Sequence, residues 1–223
     1  KRVIQLGENP KKVFNVGALA MDNIYNSKLY SKDFLFKKFK ILTKKKIALV
    51  TFHPVTKNNT NYEDQIKTFL DALMQVKEFY YVFTYNNSDT LGKNFIKNIN
   101  NFVKYNGDSK IFKTMGTKIY LSFIKSADVV VGNSSSGIYE APALKTITLN
   151  IGNRQEGRIF GGSIINSKNE TNEIVNKLRK IYKNKFKVNY KNIYYKKNVS
   201  EIISSKIKKI LKKNDKIKKF YDI

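Results

Sequence analysis

Polar clusters stand where apolar runs stop, and their residue types suit a phosphorylated ligand. The run Ala127-Asp128-Val129-Val130-Val131-Gly132 leads into Asn133-Ser134-Ser135-Ser136-Gly137, with Glu140 one turn later. Backbone N–H groups at a helix N-terminus, flanked by small hydroxyls, can cradle a phosphate. A carboxylate one turn further in can accept hydrogen bonds from two neighbouring hydroxyls, such as those of a ribose. Phosphate plus ribose suggests a nucleotide. The same residues also fit a plainer role, with Ser134 or Ser135 as an N-cap and Glu140 as a surface charge. His53, the single histidine, ends the run Ile47–Phe52. A neutral imidazole there can bond a phosphate oxygen or a sugar hydroxyl. As a cation it would stabilise a departing diphosphate. A structural histidine at a strand end is the alternative. Arg154 follows Leu149-Asn150-Ile151-Gly152, and a guanidinium can hold a diphosphate through two parallel bonds. Arg158, four residues on, reads as a surface charge.

These residues need a scaffold that brings strand ends together. Ile47–Phe52 is a continuous apolar run that reads as a buried parallel strand stopped by Pro54. Tyr62–Lys77 has helical spacing at Ile66, Phe69, Leu70, Leu73 and Val76. Phe79–Tyr85 is a second strand, followed by the turn cluster Asn86-Asn87-Ser88-Asp89. Phe95, Ile96, Ile99 and Phe102 give the next helix its inner face. Ser109–Lys113 is a short strand, and Lys118–Lys125 a short helix with Tyr120, Leu121 and Ile124 inward. Val129–Val131 and Thr146–Ile151 are strands on either side of a helix over Gly137–Leu144. Pro142 inside that helix predicts a kink or a later start. Ser163–Asn166 is a candidate short strand. Glu170–Lys180 and Glu201–Phe220 read as helices, the last one basic and amphipathic. Strands alternating with helices predict an α/β fold, a parallel sheet with helices on both faces. Open sheets of that kind bind ligands at the carboxyl ends of their strands.

Composition narrows the partners. The formal charge of +26 favours anionic ligands. Yet the excess is nearly all lysine, and the arginines are Arg2, Arg154, Arg158 and Arg179. Specific nucleic-acid readers lean on arginine for bidentate contacts, so no specific nucleic acid is expected. Lysine travels with asparagine, isoleucine and tyrosine throughout, as compositional drift would produce. The chain has no cysteine, which excludes disulfides and thiolate metal sites and suits a reducing, cytoplasmic setting. No apolar run reaches membrane-spanning length. One histidine and scattered acids give no metal-ligand cluster, so neither a metal nor a cofactor is expected.

Four segments, in order, are Gly7-Glu8-Asn9-Pro10, Ala48-Leu49-Val50-Thr51-Phe52-His53-Pro54-Val55-Thr56, Gly132-Asn133-Ser134-Ser135-Ser136-Gly137 and Asn153-Arg154-Gln155-Glu156-Gly157-Arg158. Together they resemble the C-terminal half of hydrolysing UDP-N-acetylglucosamine 2-epimerases, from Lys1 to about Asn166. The resemblance implies a Rossmann-like parallel sheet with flanking helices, the C-terminal domain of a two-domain GT-B-like enzyme. It implies a hinge segment over 1–25, a UDP-binding domain over 26–182, and a basic C-terminal extension over 183–223. It assigns His53 an active-site role. Ser134, Ser135, Glu140 and Arg154 become UDP contacts, and Thr114 and Gly116 present backbone groups to uracil. Asp22 falls near the hinge as a structural residue. Ala20 replaces a glycine common in the family. A preceding α/β domain would carry the proton-transfer carboxylates, leaving this chain alone inactive. The implied partner is a UDP-sugar, and the intact enzyme is expected to be a homo-oligomer. The implied reaction yields N-acetylmannosamine and UDP for sialic or other nonulosonic acids. The alternatives are half of a GT-B-type glycosyltransferase and, further off, a nucleic-acid-binding protein.

Overall fold

Short runs rich in Val, Ile and aromatic residues pair side by side because each can be buried on both faces. The computed structural model describes residues 1–53, 55, 61–85, 92–211 and 220–222. Among these, β1 (Lys46–Thr51), β2 (Phe79–Thr84), β3 (Ser109–Phe112), β4 (Val129–Gly132), β5 (Thr148–Ile151) and β6 (Ile164–Ser167) form one sheet. Its order is β3-β2-β1-β4-β5-β6, and every pairing is parallel. From β1 the chain builds outward to β3, then returns to lay β4 against the other side of β1. The strand order therefore reverses between β1 and β4, and such a switch point opens a crevice at the strands' carboxyl ends.

The helices that flank the sheet are α3 (Lys32–Phe39) before β1, α4 (Tyr62–Met74), α5 (Gly92–Tyr105), α6 (Gly116–Ser126) and α7 (Ser136–Ala143) between strands, and α8 (Thr171–Tyr182) after β6. Helices α4, α5 and α8 cover one face. Ile66, Phe69 and Leu73 of α4, Ile99 and Phe102 of α5, and Ile174 and Leu178 of α8 meet Ala48, Val50, Phe83, Val131 and Leu149 in one core. Helices α3, α6 and α7 cover the other face, where Leu35, Leu121, Phe123, Ile124 and Ile138 are buried. Local signals set the helix starts. Ser31 Oγ accepts from Phe34 N at 3.2 Å and Asn61 Oδ1 from Glu63 N at 3.0 Å.

The expected parallel α/β architecture is the observed one, and the candidate strand near Ser163 is β6. Helix α7 starts at Ser136 despite Pro142, because the proline falls in its last turn, after most of the ladder is complete. The stop at Pro54, the Asn86-Asn87-Ser88-Asp89 turn, the Phe95 side chain and the tail helix past Leu211 lie outside the described residues.

The chain divides into two compact units, Ser27–Ile193 and Lys1–Asn26 with Tyr194–Ile223. The smaller unit holds α1 (Arg2–Gln5), α2 (Ala20–Asn26) and α9 (Val199–Leu211). Its apolar core is small, with Met21, Ile24 and Val199 buried. Polar ties add to it. The Asp22 carboxylate accepts from Val199 N (3.2 Å), Ser200 N (2.7 Å) and Ser200 Oγ (2.7 Å), and so caps α9 from another segment of the chain. These bonds, Ser200's backbone N–H first, hold the Asp22 carboxyl below its ordinary value. Among the described residues no helix is long and apolar enough to cross a membrane.

Candidate functional site

The site is built where β1 and β4 part. Gly132 pairs with Thr51 across the switch point and has φ of 132°. A Cβ there would lie 2.0 Å from the Thr51 carbonyl oxygen, so only glycine allows the two strands to approach this closely. Asn133 comes next and is 1% exposed. Its side chain clasps the His53 backbone from both sides: Oδ1 accepts from His53 N at 2.7 Å and Nδ2 donates to His53 O at 2.8 Å. Its own N–H donates to Thr51 O at 3.2 Å. Its carbonyl accepts from Arg154 Nη1 at 3.0 Å and from Gln155 Nε2 at 2.7 Å. One buried asparagine thus registers the ends of β1 and β4 and the loop after β5.

The serine loop follows directly. Ser134 Oγ accepts from Ser136 N at 3.3 Å and from Ser136 Oγ at 3.1 Å. Ser135 occupies the N-cap position but makes no capping bond through its hydroxyl. The two serines therefore divide the labour that the sequence left open: Ser134 binds into the first turn and Ser135 stands beside it. Helix α7 is drawn tightly onto β5. A Cβ on Gly137 would lie 2.7 Å from Thr148 Cγ2, and Thr148 Oγ1 donates to Gly137 O at 2.7 Å. This contact fixes the direction in which the N-terminal N–H groups of α7 point.

Glu140, one turn into α7, is half-buried. Its Oε2 is shut away from solvent with no hydrogen-bond partner among the described residues. Burial pushes its pKa above the ordinary 4.5, against a smaller opposing pull from its own backbone N–H. A buried acceptor without a donor costs free energy, and a ligand's hydroxyls would supply what the fold does not. Arg154 carries the matching positive charge. Partial burial first, and then the charge of Arg158, lower its pKa below the ordinary guanidinium value. It stays a cation at neutral pH, and an anion between the two guanidiniums would relieve their repulsion. Arg158 itself is exposed and donates to Tyr139 Oη at 2.9 Å.

The structure brings His53, Ser134, Glu140 and Arg154 to one end of the central strands, on the segments just after β1 and β4, on α7 and on the loop after β5. Thr114 and Gly116 lie at the same end of the sheet but on its β3 edge, and both are exposed. Sequence reasoning passed over three residues. Asn133 was visible only as a polar residue after a strand. Gln155, 2% exposed, has an Oε1 with no hydrogen-bond partner among the described residues. Tyr120 was placed inward for its ring, while its hydroxyl meets Ser136 Oγ at 2.5 Å. Among the described residues no three His, Asp or Glu side chains gather as metal ligands would.

Comparison with known proteins bears on this geometry. A curated relative, the GDP/UDP-N,N'-diacetylbacillosamine 2-epimerase (hydrolyzing) of Campylobacter jejuni, is 39% identical over 190 residues, covering 85% of this chain and 49% of the relative. The polysialic acid biosynthesis protein P7 of Escherichia coli is 38% identical over 231 residues, covering 100% of this chain and 58% of that one. The chain therefore spans about half the length of the curated relatives it matches. The crystal structure of UDP-GlcNAc 2-epimerase from Neisseria meningitidis bound to UDP-GlcNAc superposes with a TM-score of 0.72 at 15% identity, over 93% of this chain and 58% of that one. The fold likeness extends to a glycosyltransferase of Rickettsia africae, with a TM-score of 0.54 at 14% identity over 88% and 55% of the two chains. Residues 1–208 match the family described as UDP-N-acetylglucosamine 2-epimerase, and the chain belongs to that family.

Proposed function

We propose that the crevice between β1 and β4 binds the UDP part of a UDP-sugar, and that the chain is the nucleotide-binding half of a hydrolysing 2-epimerase. The observation that carries this is the unmet, buried Glu140 carboxylate oxygen one turn behind the Ser134 loop. Phosphate donors and a paired-hydroxyl acceptor stand at ribose-to-phosphate order along α7. In this reading Ser134, Ser135 and Arg154 hold the diphosphate, Glu140 holds the ribose, and Thr114 and Gly116 border the base. His53 faces the diphosphate from the end of β1.

The reaction under this proposal removes the C2 proton of the sugar and breaks the C1–O bond, so that UDP departs and a glycal forms. Water then adds across the double bond to give the free 2-epimeric sugar. Negative charge grows on the leaving diphosphate. Donors fixed there therefore act on the transition state and not only on binding. UDP-N-acetylglucosamine, giving N-acetylmannosamine, is the first candidate substrate. The diacetylbacillosamine epimerases among the relatives support a UDP-diacetamido-trideoxyhexose as the second.

The test is to incubate the full-length protein with each UDP-sugar in deuterated water and to follow UDP and free sugar by NMR. The expected result is UDP release with a free epimerised sugar carrying deuterium at C2. Transfer of the sugar to an acceptor with no free product would favour the glycosyltransferase reading instead. The 223-residue chain by itself is expected to bind UDP weakly and to show no turnover.

A further inference from the structure

Behind Ser134 stand hydroxyls that the proposed function does not use. Thr84 Oγ1 at the end of β2 lies 2.6 Å from Thr51 Oγ1 at the end of β1. The Thr51 hydroxyl also acts on the Tyr120 phenol of α6, partly offsetting the rise in its pKa. Tyr120 Oη lies 2.5 Å from Ser136 Oγ, and Ser136 Oγ donates to Ser134 Oγ at 3.1 Å. Tyr120, Ser136 and Ser134 are joined in series, and the Thr51–Thr84 pair is a second hydroxyl contact.

Each hydroxyl has one proton and two lone pairs, so the direction of the line can be worked out. Ser134 Oγ accepts twice, from Ser136 N and from Ser136 Oγ. Both of its lone pairs are then engaged, and only its proton remains to be given. Ser136 spends its proton on Ser134 and must accept at its contact with Tyr120. Tyr120 therefore donates to Ser136. The protons run one way, from Tyr120 through Ser136 to Ser134. Hydrogen bonds aligned in series polarise and strengthen one another in a buried setting. Burial keeps the Tyr120 phenol protonated, since its pKa is pushed above the ordinary 10.0.

We propose that Tyr120 is a positioning residue for the diphosphate: it orients the Ser136 hydroxyl, which turns the Ser134 O–H outward as a committed donor to a phosphate oxygen. The inference rests on the nucleotide reading of the site. Without Tyr120 the Ser136 proton is free to rotate, and Ser134 can present a lone pair to the anion instead of its proton.

The experiment is a titration of the full chain and its Tyr120→Phe, Ser136→Ala and doubly substituted variants with UDP and, separately, with uridine. Thermal unfolding without ligand checks that each variant is folded. Each single substitution is expected to weaken UDP about tenfold, the effect of losing one hydrogen bond to a charged group. Uridine, which has no phosphate, should show no change. The double variant should bind UDP no more weakly than the poorer single variant, because both substitutions cut the same line. Unchanged UDP affinity, equal losses for UDP and uridine, or fully additive losses would overturn the role given to Tyr120. Should Tyr120→Phe not fold, Ser136→Ala against UDP and uridine decides alone. Wild-type protein that ignores UDP would instead overturn the nucleotide reading itself, and the inference with it.

Discussion

The two ends of the sheet treat charge in opposite ways. At the amino ends of the strands, the protein answers its own charges. Lys45 Nζ meets Asp108 Oδ2 at 2.5 Å and Lys77 O at 2.7 Å. Lys46 Nζ donates to Tyr182 O at 2.8 Å, and Ile47 N donates to Asp128 Oδ2 at 2.8 Å. At the carboxyl ends, buried acceptors on Glu140 and Gln155 have no hydrogen-bond partner among the described residues, and the charge of Arg158 acts against that of Arg154. The first arrangement stabilises the fold. The second gives up some stability and, under the proposed function, would be completed by a ligand. Substitutions at the two ends should therefore separate cleanly into those that change stability and those that change binding or rate.

The largest effects are expected at the carboxyl ends. In the full-length enzyme, His53→Ala and Arg154→Ala should each lower kcat by about 10²–10³, with a smaller change in KM. Steady-state kinetics, with folding checked by circular dichroism, measures this. Loss confined to KM would mean that these side chains only bind. Next comes Glu140→Gln, which should raise the UDP dissociation constant about tenfold through KM more than kcat, since ribose hydroxyls do not change charge in the reaction.

Glu140 also predicts a pH signature. Its folded pKa is raised, so it binds its proton more tightly in the folded than in the unfolded chain. Its contribution to stability is complete below the ordinary 4.5 and is lost as pH rises through the raised value. UDP affinity should run the other way and fall as pH drops through that value, because the ribose hydroxyls need the ionised carboxylate. Melting temperature and UDP titration across pH, wild type against Glu140→Gln, would show both trends; only the part due to the phosphate's own ionisation should survive in the variant.

Smaller effects belong to the amino ends. Asp128→Ala should cost about 1–2 kcal/mol in denaturant unfolding by orphaning the Ile47 N–H. Lys45→Ala, which removes a partly exposed ion pair, should cost less than about 1 kcal/mol. Neither should alter UDP affinity, and a change in affinity from either would blur the distinction between the two ends.

How much of this was legible follows from the range of each interaction. The central strands were readable because a strand buried on both faces appears as an unbroken apolar run, as in Ile47–Phe52. The loop at Ser134 was readable because a strand end, small hydroxyls and a helix start are adjacent in the chain. The Asn133 clasp was not, since its side chain bonds backbone atoms 80 residues away, and a backbone partner leaves no mark on residue type. Nor was Tyr120, whose ring pattern is that of a core residue and whose hydroxyl partner lies on the next helix. Helices α1 to α3 escaped notice because four to eight residues are too few to show a helical period. The cap by Asp22 on α9 joins positions 178 residues apart and was likewise hidden.

Calorimetric titration of the chain with UDP, beside its Glu140→Ala variant, decides whether the carboxyl ends of β1 and β4 form a UDP site completed by Glu140. Saturable but weak binding by the wild type is expected, weak because an open site leaves polar groups imperfectly desolvated, with a marked loss in the variant. No saturation at millimolar UDP, with wild type and Glu140→Ala indistinguishable, would contradict it.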